Sequence, residues 1–224
     1  FDEATLLLRG WGGDPYSTAR ADVRKLNRFN MTVDYRNMAM FNYLPSFANP
    51  LLGAGSRMNQ NSVDTRVRST DFRLDLFPSS RVSPFFGYTR TTEQGNGIWV
   101  FSRPGNEFPV PTFTDNQANH FQGGVQLNFR TLHASLEAGG TSFDDDTGSA
   151  EGLANRGNNA RPFLGRNILL SNLSERYQVN GSSYYTRGSL AFNPVKWASV
   201  STEFTYANPT IDVTYTQASQ GSFV

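Results

Sequence analysis

The stretch from Phe121 to Phe143, FQGGVQLNFRTLHASLEAGGTSF, decides the fold class of this chain. Apolar and small residues alternate with Gln, Asn, Ser and Glu on both sides of a turn near Arg130-Thr131. A period of two over two consecutive runs predicts a β-hairpin rather than a helix. Such a hairpin suits a soluble β-sandwich, and it also suits a membrane barrel with lipid on one side of the strand and water on the other.

Composition narrows the class of protein. Of 224 residues only 17% are charged and 13% are aromatic, with a net charge of +1. Soluble domains usually have about 25% charged residues, and no run approaches the ~20 apolar residues that a helical membrane span needs. We therefore expect an all-β chain, either an outer-membrane barrel or a secreted β-sandwich. The near-neutral charge gives no reason to expect a nucleic-acid partner.

The sequence contains no Cys. This excludes a disulfide scaffold, a Cys-ligated zinc site and covalent haem attachment through C-x-x-C-H within the chain. The first residues, Phe1-Asp2-Glu3, lack the basic start of a signal peptide. We expect a chain from which that peptide has been removed, or one that starts within a longer protein.

Ten strands are predicted from alternation, at 5–11, 18–26, 29–36, 63–77, 82–92, 121–129, 132–143, 182–192, 197–206 and 210–216. Tight turns near residues 27, 79, 130 and 194 alternate with three predicted long loops, at about 42–62, 93–117 and 144–181. Short periplasmic turns and long extracellular loops are typical of antiparallel up-and-down transmembrane β-barrels, whereas Greek-key crossovers of a sandwich would break this alternation. We treat 1–224 as a single β-barrel domain or an internal portion of a larger barrel, with a closed ten-strand barrel as the alternative.

Aromatic residues recur at two levels of the predicted strands. The predicted girdles comprise Phe29, Phe77, Phe129, Phe192 and Trp197 beside the tight turns, and Tyr35, Tyr88, Phe121, Phe143, Tyr184 and Tyr206 farther along the strands. Two bands separated by a span of ~9–11 residues are typical of the interfacial aromatic girdles of membrane barrels. A general preference of aromatics for strands explains their number but not this repeated placement.

Charged residues gather on the polar side of the predicted strands. The predicted lumen-facing set is Arg20, Asp22, Arg24, Asp34, Arg36, Asp71, Arg73, Asp75, Glu137, Arg187 and Glu203. The signs are mixed and nearly balanced, and acids stand near bases. Such a wall suits a weakly selective, water-filled channel or a barrel that surrounds another protein, because a strongly ion-selective pore would show one dominant sign.

No constellation of residues predicts catalysis, a cofactor or a metal ion. His120 and His133 fall on the polar face without convergent His or Cys partners, so we expect solvated lumen histidines. Asp144-Asp145-Asp146 lacks EF-hand spacing, and we expect an acidic loop tip. Asp115 near His120 has no accompanying nucleophile signature. The apolar stretch 163–173, FLGRNILLSNL, is expected to pack its loop onto the barrel rim, with a short helix, an in-folded constriction of the pore or a docking surface for a partner as alternatives.

Two phrases, FRLDLFPSSRVSPFFGYTR (72–90) and LAFNPVKWASVSTEFTYA (190–207), show a repeated pattern of strand, tight turn with a basic residue, and strand. This pattern resembles the large outer-membrane barrels of the MtrB/PioB kind. The resemblance implies a barrel that insulates a periplasmic multihaem cytochrome and lets electrons cross the outer membrane. The N-terminal cysteine motif of some members of that family is absent from this sequence.

We therefore expect a bacterial outer-membrane β-barrel in contact with lipid and lipopolysaccharide, acting as a porin-like passive conduit. The first alternative is a sheath for a multihaem cytochrome or another envelope protein. The second is a secreted or surface β-domain that binds a ligand through its long loops.

Overall fold

The computed structural model describes residues 2–13, 15–41, 43–45, 60–152, 154–157, 164–195 and 197–223. The strands are β1 (Glu3–Arg9), β2 (Tyr16–Lys25), β3 (Phe29–Met40), β4 (Tyr43–Pro45), β5 (Gln60–Ser62), β6 (Thr65–Leu76), β7 (Val82–Arg103), β8 (Asn106–Asn128), β9 (Leu132–Glu151), β10 (Ile168–Val195) and β11 (Ala198–Phe223). Nine of them form one antiparallel sheet in the order β1-β2-β3-β6-β7-β8-β9-β10-β11, and β4 pairs with β5. Within the described residues, no helix is long and apolar enough to cross a membrane.

The predicted all-β class and antiparallel up-and-down order are confirmed, because each main-sheet strand pairs with the next along the chain, with only the β4–β5 hairpin inserted between β3 and β6. Over the described residues the sheet has nine strands rather than ten, and it is not closed. β1 and β11 are its two edges.

The hairpin at 121–143 forms as predicted. β8 and β9 pair with Phe121 opposite Gly140 and Leu127 opposite Ala134, and the amide of Phe129 donates to the carbonyl of Leu132 at 2.8 Å to close the turn. The other three tight turns predicted from the sequence follow β2, β6 and β10. These four turns lie at one end of the sheet, called here the short-turn end.

The prediction of a long loop at 93–117 is wrong. β7 and β8 continue through it to a two-residue turn at Pro104-Gly105, with Arg103 opposite Asn106. Gly105 has φ of 80°, as a type II turn with Pro before Gly requires. The prolines at 109 and 111 are tolerated because β8 pairs with β9 only from Thr112 onward, so residues 106–111 form a local sheet edge.

The predicted loop at 144–181 is also wrong over most of its length. β9 continues to Glu151, and β10 begins at Ile168 and runs for 28 residues, about 90 Å of extended chain. The two predicted strands 197–206 and 210–216 are one strand, β11, that continues through Pro209. An edge strand accommodates that proline because only one of its sides is paired. Most of the predicted loop at 42–62 lies outside the described residues.

Side chains of neighbouring strands that stand opposite one another share a face of the sheet. One face is concave: the guanidinium of Arg103 on β7 donates to the hydroxyl of Ser219 on β11 at 3.0 Å. Those strands are four positions apart, about 19 Å on a flat sheet. The face that carries Arg103 and Ser219 is called the concave face, and the other the convex face.

Aromatic rings lie over glycines of the adjacent strand at several places in the sheet. A Cβ added to the glycine would come within 2.9 Å of the ring in the pairs Phe85–Gly124, Phe113–Gly148, Phe121–Gly140, Phe143–Gly181, Tyr185–Gly139 and Phe204–Gly188. Glycine weakens a strand by itself, and a cross-strand aromatic ring that covers it restores the packing. Six glycines of the sheet are therefore covered by five Phe rings and one Tyr ring of neighbouring strands.

Substitution at two adjacent glycines tests this packing. A Cβ at Gly124 would lie 2.4 Å from the carbonyl oxygen of Leu136 and 2.8 Å from the ring of Phe85, whereas a Cβ at Gly123 would meet no atom closer than 3.6 Å. We expect Gly124→Ala to lower the free energy of unfolding by about 1–3 kcal/mol through overpacking. Gly123→Ala should leave it unchanged or raise it by about 0.5 kcal/mol. Urea unfolding followed by tryptophan fluorescence measures both, and equal effects would contradict the close packing at Gly124.

Candidate functional site

The strand register places all the charged residues predicted to face a lumen on the concave face. Arg20 stands opposite Asp34, and Asp34 opposite Asp71. The same alternation carried across β7 and β8 leads to Glu137, which stands opposite Arg187. The set on this face is Arg20, Asp22, Arg24, Asp34, Arg36, Asp71, Arg73, Asp75, Glu137, Arg187 and Glu203. That this face lines a lumen remains a prediction.

Many of these charges neutralise one another within the wall. Ion pairs on the concave face are Arg20–Asp22 at 2.8 Å, Arg36–Asp34 at 2.6 Å, Arg73–Asp75 at 3.0 Å and Arg187–Glu137 at 3.0 Å. The four arginine side chains are 52–57% exposed, so they extend into the space in front of the sheet. Exposed pairs of this kind contribute little stability each. Their main effect is that the concave face carries many charged groups but almost no net charge.

A hydrogen-bonded group occupies the middle of the concave face, and the absence of a side chain at Gly139 makes room for it. The Tyr185 hydroxyl donates to Glu137 at 2.7 Å, and Arg187 donates to the other oxygen of Glu137 at 3.0 Å. The ring of Tyr185 crosses Gly139 and stacks on His120 with centroids 5.8 Å apart. Sequence periodicity placed Glu137 and Arg187 on one face but did not identify Tyr185, whose signal is the glycine directly opposite it.

The two histidines have separate surroundings. His120 lies 2.9 Å from the Thr141 hydroxyl through Nδ1, and His133 lies 3.2 Å from Asn128 near the short-turn end. In the part of the chain that the structure describes, no three His, Cys, Asp or Glu residues group closely enough to hold a metal ion.

The acidic run at 144–146 is not a loop tip, and that prediction is wrong. It lies within β9, so its side chains alternate between the two faces. Asp146 on the convex face pairs with Arg176 of β10, and this hydrogen-bonded guanidinium lowers the pKa of the Asp146 carboxyl. The run therefore belongs to the wall of the sheet beyond the predicted membrane span.

On the convex face, the region between the short-turn end and a row of aromatic residues farther along the strands is apolar. Tyr88, Phe121 and Tyr184 stand in one row across the sheet, and the rings of Phe121 and Tyr184 are 6.5 Å apart. Tyr35 and Tyr206 lie one row away on the same face. Phe29 and Phe192 stand on this face beside the turns, while Phe77, Phe129 and Trp197 lie in the turns themselves. We call this region, from the turns to the tyrosine row, the near zone.

Phe143 does not belong to the predicted aromatic band. It stands opposite Ala118 and Gly181 on the concave face, because Gly140 occupies the corresponding convex position of β9 beneath the ring of Phe121. Its spacing along the chain predicts the girdle, but Phe143 stands three positions after the convex Gly140, and an odd offset along a strand puts a side chain on the opposite face.

Beyond the tyrosine row, in what we call the far zone, polarity changes sides on β10 and β11. The convex face there carries Arg176, Gln178, Asn180, Asp212 and Thr214, and the concave face carries Tyr177, Val179, Ile211, Val213 and Tyr215. In the near zone the same strands place Tyr184, Leu190, Phe192, Val200 and Phe204 on the convex face and Arg187, Ser189 and Glu203 on the concave face. The apolar side of each strand therefore switches halfway along its length.

The far zone ends in a small buried core on the concave side. Phe101, Phe108, Val110, Leu170 and Leu173 are all at most 4% exposed. Segment 154–157 crosses this end: the Asn155 side-chain amide donates to the Pro109 carbonyl, and its backbone pairs with Leu170. The prediction that 163–173 lies in a loop is wrong for residues 168–173, which belong to β10; residue 163 of this stretch lies outside the described residues.

Comparison of this chain with protein-family models and with curated protein sequences finds no match.

The ion pair at the centre of the concave face can be tested against an exposed arginine on the same face. Glu137 is only 12% exposed and depends on Arg187 and Tyr185 for its hydrogen bonds. We expect Arg187→Gln to lower the free energy of unfolding by about 1 kcal/mol. Arg24→Gln, at an exposed position of β2, should change it by less than half as much. Chemical denaturation checks this, and equal losses would show that Glu137 does not depend on Arg187.

Proposed function

We propose that this chain forms wall strands of a bacterial outer-membrane β-barrel that acts as a passive, weakly selective conduit. The observation that carries the proposal is the change of apolar side between the near and far zones of β10 and β11. In lipid a barrel must be apolar outside and polar inside. In water the same wall can be polar outside and can bury apolar groups within. The near zone is apolar outside, as lipid requires, and the far zone of β10 and β11 is polar outside, as water allows. One continuous sheet with both zones suits a barrel that extends out of a membrane.

The height of the apolar band supports a membrane span. On β10 the convex apolar positions run from Phe192 to Tyr184, nine residues inclusive. Tilted barrel strands cross a bilayer in about 9–11 residues. Large side chains of this band, among them Leu136, Phe86 and Phe204, are exposed on the surface of the sheet. An apolar surface of this kind would be unfavourable in water, and lipid would cover it.

The charges of the concave face suggest what the conduit would pass. A pore that selects one ion strongly presents one dominant sign of charge, whereas here five arginines and six carboxylates alternate, many of them in ion pairs. A wall of this composition supports diffusion of small hydrophilic solutes with little preference for cations or anions.

Topology sets a condition on the proposed barrel. Nine alternating strands leave β1 and β11 pointing the same way, and β1 has 7 residues whereas β11 has 26. Closing these two edges on each other would need a parallel pair of very unequal strands, which up-and-down barrels of this type avoid. The proposed barrel therefore includes strands beyond these nine.

A second candidate function is a sheath around another protein, such as the multihaem cytochrome that the MtrB/PioB resemblance implies. Ile211 and Val213 on the concave face of the far zone are 59% and 56% exposed. A protein inside the barrel would cover such residues. The alternative of a secreted β-domain that binds a ligand through its loops stays a prediction, and the next experiment also tests it.

Single cysteines can test the two faces, since the chain has no native Cys. The variants are Leu136→Cys on the convex near zone, its neighbour Ser135→Cys on the concave face, and Ser142→Cys on the convex far zone. In outer membranes we expect a water-soluble maleimide to modify Ser142→Cys and Ser135→Cys but not Leu136→Cys, because lipid covers that position.

Two results of the labelling would redirect the proposal. Modification of folded Leu136→Cys at the rate of Ser142→Cys would contradict a membrane span and favour a secreted domain. Protection of both Leu136→Cys and Ser135→Cys would place a partner in the lumen and favour the sheath. All three variants should react after denaturation.

Conductance separates the conduit from the sheath. Protein purified in detergent and inserted into a planar bilayer should conduct with weak selectivity. Replacing Asp22, Asp34 and Asp75 together by Asn frees their arginine partners and should shift the reversal potential toward anion preference. Haem absorbance that co-purifies with a non-conducting barrel would instead favour the sheath, and a haem-free, conducting barrel would exclude it.

A further inference from the structure

A cavity of about 420 Å³ opens on the concave face of the far zone. It lies above β7 to β11 and is bounded by Trp99 on one side and by Tyr177 and Tyr215 on the other. Thr112, Thr114, Thr147 and Ser149 form its floor, and Glu175 lies beside the tyrosines. We call this cavity, with these eight residues, the aromatic trough. Its volume is within the range of about 300–1,000 Å³ that is usual for small-molecule sites.

The rings of the trough are available to a ligand. Trp99, Tyr177 and Tyr215 are 60%, 46% and 52% exposed, and the two tyrosine rings are tilted with centroids 6.5 Å apart. Exposed aromatic rings that face a cavity offer broad apolar surfaces with a polar tip. The hydroxyl of Tyr215 is already held by Glu175 at 2.5 Å, which fixes the orientation of its ring.

Hydroxyl groups also line the trough, those of Thr112, Thr114 and Thr147 on half-buried residues and that of Ser149 on a residue only 6% exposed. Among the described residues, the hydroxyls of Thr112, Thr114, Thr147 and Ser149 form no hydrogen bond with protein atoms. They stand in two adjacent rows, Thr112–Ser149–Glu175 and Thr114–Thr147–Tyr177. Glu175 accepts the Tyr215 hydroxyl and the Gln217 amide through one oxygen, Oε1. The floor therefore presents donors and acceptors at close, regular spacing between apolar walls.

We propose that the aromatic trough binds a neutral sugar chain. This inference rests on the proposed conduit, since it gives that conduit a substrate class. A sugar ring has C–H surfaces that pack on aromatic rings and hydroxyls around its edge that exchange hydrogen bonds with Thr, Ser and carboxylate groups. The trough supplies both kinds of partner in one place, as a specific site with few polar groups in an otherwise apolar lining does.

Charge argues against an anionic ligand. No Lys, Arg or His lines the cavity among the described residues, and its one ionisable carboxylate, Glu175, would repel an anion. An organic cation held by aromatic rings is the competing small ligand. The two rows of hydroxyls favour the sugar, because an alkylated cation would offer none of them a hydrogen-bond partner.

Calorimetric titration of the intact protein, in a detergent without a sugar headgroup, tests the site. The probes are maltohexaose and cellohexaose, with tetramethylammonium chloride and hexagalacturonate for comparison. We expect saturable binding of at least one neutral hexasaccharide in the millimolar to micromolar range and no binding of the other two probes. Tyr177→Ala should weaken that binding about tenfold, the loss expected for one stacked ring.

A matched variant separates the trough from general effects on the barrel. Tyr206→Ala removes an exposed ring from the convex face of β11 and should leave sugar affinity unchanged. Binding of tetramethylammonium in place of sugar, binding of neither, or equal loss in the two variants would overturn the sugar site. If the protein conducts in a planar bilayer but binds no sugar, this inference alone is overturned. If the protein does not insert into a bilayer, the proposed conduit is overturned as well.

Discussion

The structure depends above all on the register of its antiparallel ladder. Side chains alternate between faces along every strand, so a slip of one residue in any pairing would exchange the two faces of that strand. The short turns after β2, β6, β8 and β10 fix the pairing at one end, and the ladders then carry it along the strands, through 21 consecutive pairs from Phe192 to Asn172 on β10. Every ion pair of the concave face and every ring of the convex face follows from that alignment.

The strands keep one pairing register through the near and far zones, so the change of polarity between the zones comes from the side chains and not from the pairing. Near the turns, the sheet presents Leu190 and Phe192 outward, and farther along the same strand it presents Arg176 and Gln178. The backbone of β10 is extended in both zones and is paired with β9 and β11 from Phe192 to Leu173. What changes is the face that carries the apolar side chains. It is the convex face in the near zone and the concave face in the far zone, and the order of residues along β10 and β11 alone sets this difference.

Alternation in the sequence predicts the faces of the strands except at Phe143, but not the lengths of the strands. The hairpin at 121–143 and the charged set from Arg20 to Glu203 could be placed because polar and apolar residues alternate within their strands, and Phe143 was misplaced because Gly139-Gly140 interrupts the alternation. Residues 93–117 were mistaken for a loop because their Pro and Gly residues suggested a break. Those prolines are tolerated at a local edge that only the pairing of β8 with β9 defines. The aromatic trough was missed because its members come from five strands far apart in the sequence.

The turn at Pro104-Gly105 has a consequence for how the chain folds. β7 and β8 are joined by only two residues and pair over the full 22 residues of β7. Closing so short a loop costs little chain entropy, and each further pair adds next to one already formed. This hairpin can therefore assemble before the sheet exists and serve as its nucleus. The hairpin of β10 and β11, in which Val195 pairs with Ala198, meets the same condition, whereas pairing β9 with β10 closes the longer loop of residues 152–167.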